Sequence, residues 1–228
     1  LMGNTTITTT ASPIRFESTI NGPYNLTLTT GSATAGRVSF NGLVGGTSLI
    51  TGLTITGPST IAANINTLGA QSWTGAITLA NNITLSSSDN NISINTSLDA
   101  STVGGQSLTI NQGAGILHVN GILGGITKLA SLTILGRTDL TFGANTTGTQ
   151  TYSGGVTLLT SANAALNSDL TSNMAAITMS SLAVTGNGTL TGTGNITVTG
   201  AFNWTIGTIT TTSNAVLTLS GLDNTITP

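Results

Sequence analysis

Three blocks of this chain recur in register further downstream. Asn41-Gly-Leu-Val-Gly-Gly46 matches Asn120-Gly-Ile-Leu-Gly-Gly125, Leu53-Thr-Ile55 matches Leu132-Thr-Ile134, and Gln71-Ser-Trp-Thr-Gly-Ala-Ile-Thr-Leu79 matches Gln150-Thr-Tyr-Ser-Gly-Gly-Val-Thr-Leu158, all at an offset of 79. Upstream of these, Tyr24-Asn-Leu-Thr-Leu28 pairs with Gln106-Ser-Leu-Thr-Ile110 at an offset of 82, which implies a loop longer by three positions. A duplication kept over some 60 residues marks a repeat architecture, in which similar units bury their apolar faces against one another.

The unit inside the repeat is a short strand. Apolar–Thr–apolar triplets recur along the chain: Leu26–Leu28, Leu53–Ile55, Ile77–Leu79, Leu108–Ile110, Leu132–Ile134, Val156–Leu158, Ile196–Val198 and Leu217–Leu219. Alternation with period two is the pattern of a strand with one buried face, and Gly, Asn or Ser interrupts most of these runs within a few residues. No segment keeps apolar residues at helical spacing beyond one turn, and Ser161–Asn167, the nearest approach, reads as a loop or a short irregular turn. Leu182, Leu190, Ile196, Phe202, Ile209 and Leu217 follow one another at six to eight residues, one strand and one corner each time. Three strands and three corners make about 20 residues per coil, so the repeat of about 80 corresponds to four coils. An antiparallel sandwich or barrel is the competing all-β arrangement, but it needs no long period. The expected fold is therefore an all-β, right-handed parallel β-helix with about 20 residues per rung and about eleven rungs. It forms a single domain over residues 1–228, with internal repeats at approximately 22–85 and 104–164 and further rungs to 220.

Composition agrees with a stacked surface and removes whole classes of function. Only 4 Lys+Arg and 6 Asp+Glu occur in 228 residues, a formal net charge of −2, whereas 48 Thr, 23 Ser and 22 Asn supply about 41% of the chain. Thr, Val and Ile suit a pleated surface, Gly and Asn suit corners, and stacked like charges would repel from rung to rung. Four basic residues cannot track a phosphate backbone, so no nucleic-acid partner is expected. The chain has no Cys, hence no disulfide, zinc–thiolate or thiol chemistry. No run of 18 apolar residues offers a transmembrane helix, and membrane insertion is not expected. The first residues, Leu1-Met-Gly-Asn-Thr-Thr-Ile-Thr-Thr-Thr10, lack the basic and apolar regions of a signal peptide and read as the start of a processed product or fragment.

Groups able to carry out chemistry are few and scattered. His118 is the sole histidine, with Asp99 and Asp139 the nearest carboxylates in sequence, and it reads as a structural or surface residue. Glu17, Asp89, Asp99, Asp139, Asp169 and Asp223 occur singly, without the convergence that glycan hydrolysis or a calcium site needs. Gly45-Gly46, Gly104-Gly105 and Gly124-Gly125 are not followed by the Asp of a calcium-binding nonapeptide. Arg15/Glu17 and Arg137/Asp139 each project from one side of a strand and read as local ion pairs of small energy. Trp73, Tyr152, Trp204 and Tyr24 could form a sugar-stacking platform, but Trp73 and Tyr152 are equivalent in the duplication and so read as packing residues. Thr-x-Thr pairs (Thr27/Thr29, Thr54/Thr56, Thr197/Thr199, Thr208/Thr210) are too unevenly spaced for an ice-ordering array. The nine Asn-x-Ser/Thr sequons, at Asn4, Asn25, Asn82, Asn91, Asn95, Asn145, Asn187, Asn195 and Asn203, are no enrichment over what composition alone produces. No catalytic, cofactor-binding or metal-binding residue is assigned, and no cofactor is expected.

The motifs Gln-x-aromatic-x-Gly-x-Ile/Val-Thr-Leu (71–79 and 150–158), Asn-Gly-x-x-Gly-Gly (41–46 and 120–125) and Gly-Asn-Gly-Thr-Leu-Thr-Gly-Thr-Gly-Asn-Ile-Thr-Val (186–198) resemble the β-strand repeats of very large bacterial surface proteins. These are the filamentous haemagglutinin-like adhesins and autotransporter passengers. The resemblance covers most of residues 20–220. It implies a right-handed parallel β-helix, an extracellular or cell-surface location, and a structural or adhesive role without catalysis. The expected partners are a host or surface glycan or protein receptor, and further copies or further rungs joined through the end strands. The alternatives are a subunit that self-assembles into an extracellular filament, as the strand-like ends Thr5–Thr10 and Asp223–Pro228 would allow, and a carbohydrate-binding module.

Overall fold

Alternation of inward apolar and outward Thr or Ser residues gives each short strand one face to bury, and coiling buries all of these faces together. The computed structural model describes residues 1–31, 36–158, 170–172, 177–192, 195–211, 216–221 and 224–226, which are all-β and contain no helix. The pairings among the described strands are parallel throughout, which excludes the antiparallel alternative. The chain is a parallel β-solenoid built from three stacks.

The first stack runs through Thr5–Thr9, Asn25–Thr30, Gly52–Thr56, Gln71–Trp73, Ile92–Ile94, Ile116–Val119, Arg137–Leu140 and the second half of Gln150–Leu158. Turns differ in length: Leu53 has Leu26 as its register partner on one side and the much nearer Gln71 on the other. The stack continues through Ile177–Gly192, Phe202–Thr211 and Asn224–Ile226. The second stack holds Ile14–Phe16, Val38–Phe40, Ser59–Ile61, Ile77–Leu79, Leu98–Ala100, Ile122–Leu123, Gly143–Thr146 and Leu170–Ser172. The third begins with bridges joining Ile20, Val44 and Ile65. It proceeds through Ile83–Ser87, Leu108–Asn111, Leu132–Ile134 and the first half of Gln150–Leu158, then to Ile177–Gly192, Ile196–Val198 and Leu217–Leu219.

Both apolar residues of the triplets at 26–28, 53–55, 77–79, 108–110, 132–134 and 196–198 are buried in one continuous core. Of the downstream anchors, Ile196 and Phe202 are buried, and Ile209 and Leu217 pack against the core. The side chains of Leu182 and Leu190, the loop or irregular turn expected at Ser161–Asn167, and Asp169, Asp223 and Pro228 lie outside the described residues. Aromatic rings tie turns together: Phe16 and Phe40, register partners on successive turns, stack at 5.5 Å, and Phe40 meets Trp73 edge-on at 6.2 Å from further along the coil.

The duplication is real in three dimensions, but its geometry differs from the expected four coils. From Gly52–Thr56 to its equivalent Leu132–Ile134 the chain advances eleven strands, which is three and two-thirds turns. Leu53 therefore belongs to the first stack and Leu132 to the third. The second copy is moved round the coil by one stack. The difference between the two offsets is placed as well, since Leu26 and Val38 are twelve positions apart and their equivalents Leu108 and Leu117 are nine apart.

Corners are held by asparagine. The Oδ1 atoms of Asn4, Asn64, Asn82, Asn91 and Asn195 each accept the backbone N–H of Asn25, Thr84, Ser107, Ile116 and Val216, one turn further on, at 2.8–3.0 Å. A corner leaves N–H groups without a ladder partner, and a short side-chain carbonyl satisfies them. Close approach of backbones demands glycine at Gly75 and Gly154, where an added Cβ would lie 2.0 and 2.4 Å from the carbonyl carbons of Gly57 and Gly136.

Candidate functional site

The best-preserved element of the duplication points inward. Gln71 and Trp73 are both fully buried on one strand, and Trp73 Nε1 donates to Gln71 Oε1 at 3.4 Å. Gln71 Nε2 in turn donates to the Ser86 carbonyl at 2.8 Å and to Thr67 Oγ1 at 3.3 Å. In the second copy Tyr152 donates its hydroxyl to Gln150 Oε1 at 3.0 Å, and Gln150 Nε2 donates to the Ala144 carbonyl at 3.0 Å. Thr67 donates to the Gly69 carbonyl at 2.5 Å, and Thr146 to the Gly148 carbonyl at 2.6 Å. The full motif is thus Thr-x-Gly-x-Gln-x-aromatic-x-Gly at 67–75 and 146–154. It is a core clamp in which a buried amide satisfies a buried ring donor. Its packing role agrees with the sequence reading, and burial removes Trp73 and Tyr152 from any sugar platform. Tyr24 is half-buried just before its strand, and Trp204 packs against the core.

The Asn-Gly-x-x-Gly-Gly blocks form two equivalent loops, Gly45–Leu49 in the third stack and Gly124–Lys128 in the second. Gly45 and Gly124 hold φ of 71° and 70°, in the left-handed region open to glycine. Asn21 Oδ1 accepts the N–H groups of Thr47 and Ser48 at 2.9 and 3.3 Å, and Asp99 Oδ1 accepts those of Ile126 and Thr127 at 2.8 and 3.0 Å. Asp99 is therefore a loop cap. Asp89 does similar work, accepting the Ala114 N–H at 2.8 Å. Glu17 accepts from the Asn41 amide at 2.7 Å, and among the described residues no ion pair joins it to Arg15.

Charged groups gather on the outer face of the first stack. Here His118 and Asp139 are register partners on successive turns. His118 Nδ1 lies 3.3 Å from Asp139 Oδ2, and Arg137 Nη2 lies 3.6 Å from Asp139 Oδ1. The carboxylate is 11% exposed, the imidazole 34% and the guanidinium 60%. Asn91 Nδ2 sits 3.4 Å from His118 Nε2, while Asn91 Oδ1 is committed to the Ile116 N–H. An amide nitrogen only donates, so Nε2 accepts and the neutral ring carries its proton on Nδ1, facing Asp139. Sequence distance conceals this contact, which parallel stacking creates. Ser93 is the register partner of His118 on the preceding turn, but no hydrogen bond links the two.

Threonines form rows on two faces. On the first stack Thr6, Thr27 and Thr54 are in register, as are Thr8, Thr29 and Thr56, so the Thr-x-Thr pairs align over three turns. The pairs stay unevenly spaced along the chain yet coincide on this stretch of the stack, and the central row then gives way to Ser72, Ser93, His118 and Asp139. On the third stack one row is unbroken: Thr84, Thr109, Thr133, Thr151, Thr178, Thr197 and Thr218 occupy the same register on seven successive turns. A shallow open groove of about 470 Å³ lies between Asn25–Thr27, Thr51–Thr54 and Gly69–Ala70.

No group of three or more His, Cys, Asp or Glu residues that could hold a metal ion exists among the described residues, and they include no helix long and apolar enough to cross a membrane. The chain matches no protein-family model, no curated protein and no solved structure. The fold itself defines the class: a threonine-rich parallel β-solenoid.

Proposed function

We propose that the chain is a non-enzymatic structural or adhesive module of an extracellular bacterial surface fibre. The observation that carries this reading is the continuous parallel core. Each turn hydrogen-bonds to the next along its length, so the coil is a rod whose stiffness comes from its own backbone ladder. The eleven described strands of the first stack, at about 4.8 Å from one to the next, make a rod on the order of 50 Å. The corner caps, inward glutamine clamps and loop caps all serve that rod. The described carboxylates with hydrogen bonds or ion pairs are engaged in capping, in holding Asn41 or in the His118–Asp139–Arg137 contact. The motif resemblance to large bacterial adhesins favours the same reading.

Two measurements test it. Antibodies raised against the chain should label intact, unpermeabilised source cells, and labelling only after lysis would refute the surface assignment. Electron microscopy of the purified chain should show discrete short rods; regular polymers would make it a filament subunit instead.

A further inference from the structure

We propose that the outer face of the third stack is a lateral self-association surface, through which a second copy of the chain packs side by side. This goes beyond the fibre reading, which concerns the rod alone, and it stands whether or not the rod adheres to a receptor. Over seven turns threonine holds the central register position of this face. The outward positions on either side of the row are neutral, with Asn82, Ser107 and Ser131 before it and Ser86, Asn111 and Leu135 after it on the first three turns. The first stack carries His118, Arg137 and Asp139 instead.

The occupant is a second copy for three physical reasons. A face without charge meets its own image free of the like-charge repulsion that opposes homotypic contacts. Its row repeats at the strand spacing of about 4.8 Å, and an identical face carries the same repeat, so the two rows interdigitate along their whole length. The face is also pre-ordered: Thr is stiff at χ1, Ser131 donates to Ser107 Oγ at 2.8 Å across adjacent turns, and Asn82 is fixed on the Ser107 N–H. Ordered side chains lose little freedom on docking. Seven turns by five residue positions cover about 30 Å by 15 Å, on the order of 450 Å² per copy and 900 Å² per pair. That is just under the roughly 1,000 Å² of a specific stable contact. The association is therefore weak at this length and strengthens as turns are added.

The chain contains no Cys, so single-cysteine variants report the contact cleanly. Thr133→Cys and Thr151→Cys, oxidised under dilute conditions, should give covalent dimers, whereas Thr54→Cys on the first stack should stay monomeric. In sedimentation equilibrium the wild-type chain should dimerise reversibly, and Thr109→Lys with Thr133→Lys should weaken this by about tenfold or more. Thr27→Lys with Thr54→Lys should leave it unchanged. A wild-type chain that remains monomeric at the highest attainable concentration, cross-linking equal on both faces, or association that survives lysines on the third stack would each overturn the proposal. The cysteine variants, which alter one outward side chain, decide the matter if the double lysine variant fails to fold.

Discussion

Replacing Gln71 by Met keeps the volume of the inward side chain but removes its amide. Trp73 Nε1, fully buried and 3.4 Å from Gln71 Oε1, then has no acceptor, and the 2.8 Å bond to the Ser86 carbonyl is lost. An orphaned buried donor costs about 1–3 kcal/mol and a lost neutral hydrogen bond about 1, so Gln71→Met should destabilise by about 2–4 kcal/mol. At about 2–4 °C per kcal/mol for a chain of this size, the melting temperature falls by roughly 10 °C. Trp73→Phe removes the donor itself. In a Gln71→Met background it abolishes the orphan, so the double variant should be more stable than the sum of the single effects by about 1–2 kcal/mol. Because a solenoid couples each turn mainly to its neighbours, the readout should be local as well as global. Amide hydrogen exchange should accelerate most in the strands Gly52–Thr56 and Ile92–Ile94, which pair with Gln71–Trp73. Strict additivity in the cycle, or a Gln71→Met variant whose stability stays within about 0.5 kcal/mol of wild type, would show that the inward amide is not a clamp.

Gly75→Ala should destabilise by about 1–3 kcal/mol in thermal unfolding, because the new Cβ meets the backbone of Gly57, whereas Gly3→Ala, with nothing within 4 Å, should change stability by less than about 0.5. Asp99→Asn keeps the Oδ1 acceptor and should leave the loop intact; Asp99→Ala should speed amide exchange at Ile126 and Thr127 about tenfold, corresponding to about 1.4 kcal/mol of lost local protection. Nitrogen NMR of the single histidine should show the neutral ring protonated on Nδ1, and a dominant Nε2–H form would contradict the Asn91–His118–Asp139 arrangement.

The period-two pattern and the duplication carry the fold, because in a solenoid every strand repeats the same local rule and tertiary context does not override it. Leu26, Leu53 and Leu132 face inward wherever their strand falls in the coil. Contacts between turns are the part that sequence conceals. His118 and Asp139 are separated by a full turn, and Asn91 meets His118 from the turn before; the lengths of the intervening corners, which vary, decide which outward residues coincide. The same holds for the threonine rows. Their spacing along the chain is irregular because turns differ in length, as the partners of Leu53 show, while register on the stack is regular. Reading from composition and spacing passes over the inward glutamines, although their fixed place two residues before an aromatic ring in both copies carries the signal.

The displacement of the second copy by one stack bears directly on what this surface is for. A repeat of eleven strands can be accepted only if a strand sequence fits any of the three stacks, which the Gln–aromatic clamp demonstrates by working in the first stack at Trp73 and in the third at Tyr152. Packing rules are thus indifferent to the stack, and a ligand-binding face confined to one stack would have been carried elsewhere by the duplication. The threonine row shows what happened instead. Thr27, Thr54 and Ser72 of the first stack have Thr109, Thr133 and Thr151 as equivalents on the third, where they join Thr84 before them and Thr178, Thr197 and Thr218 after them. The first stack, where the originals stand, continues into Ser93, His118 and Asp139. Stack-indifferent packing explains why both copies fold. It does not explain why the row extends unbroken on the third stack through residues that lie outside the second copy. That continuity is the reason to read the third face as a contact surface and the remaining two as the sides of a rod.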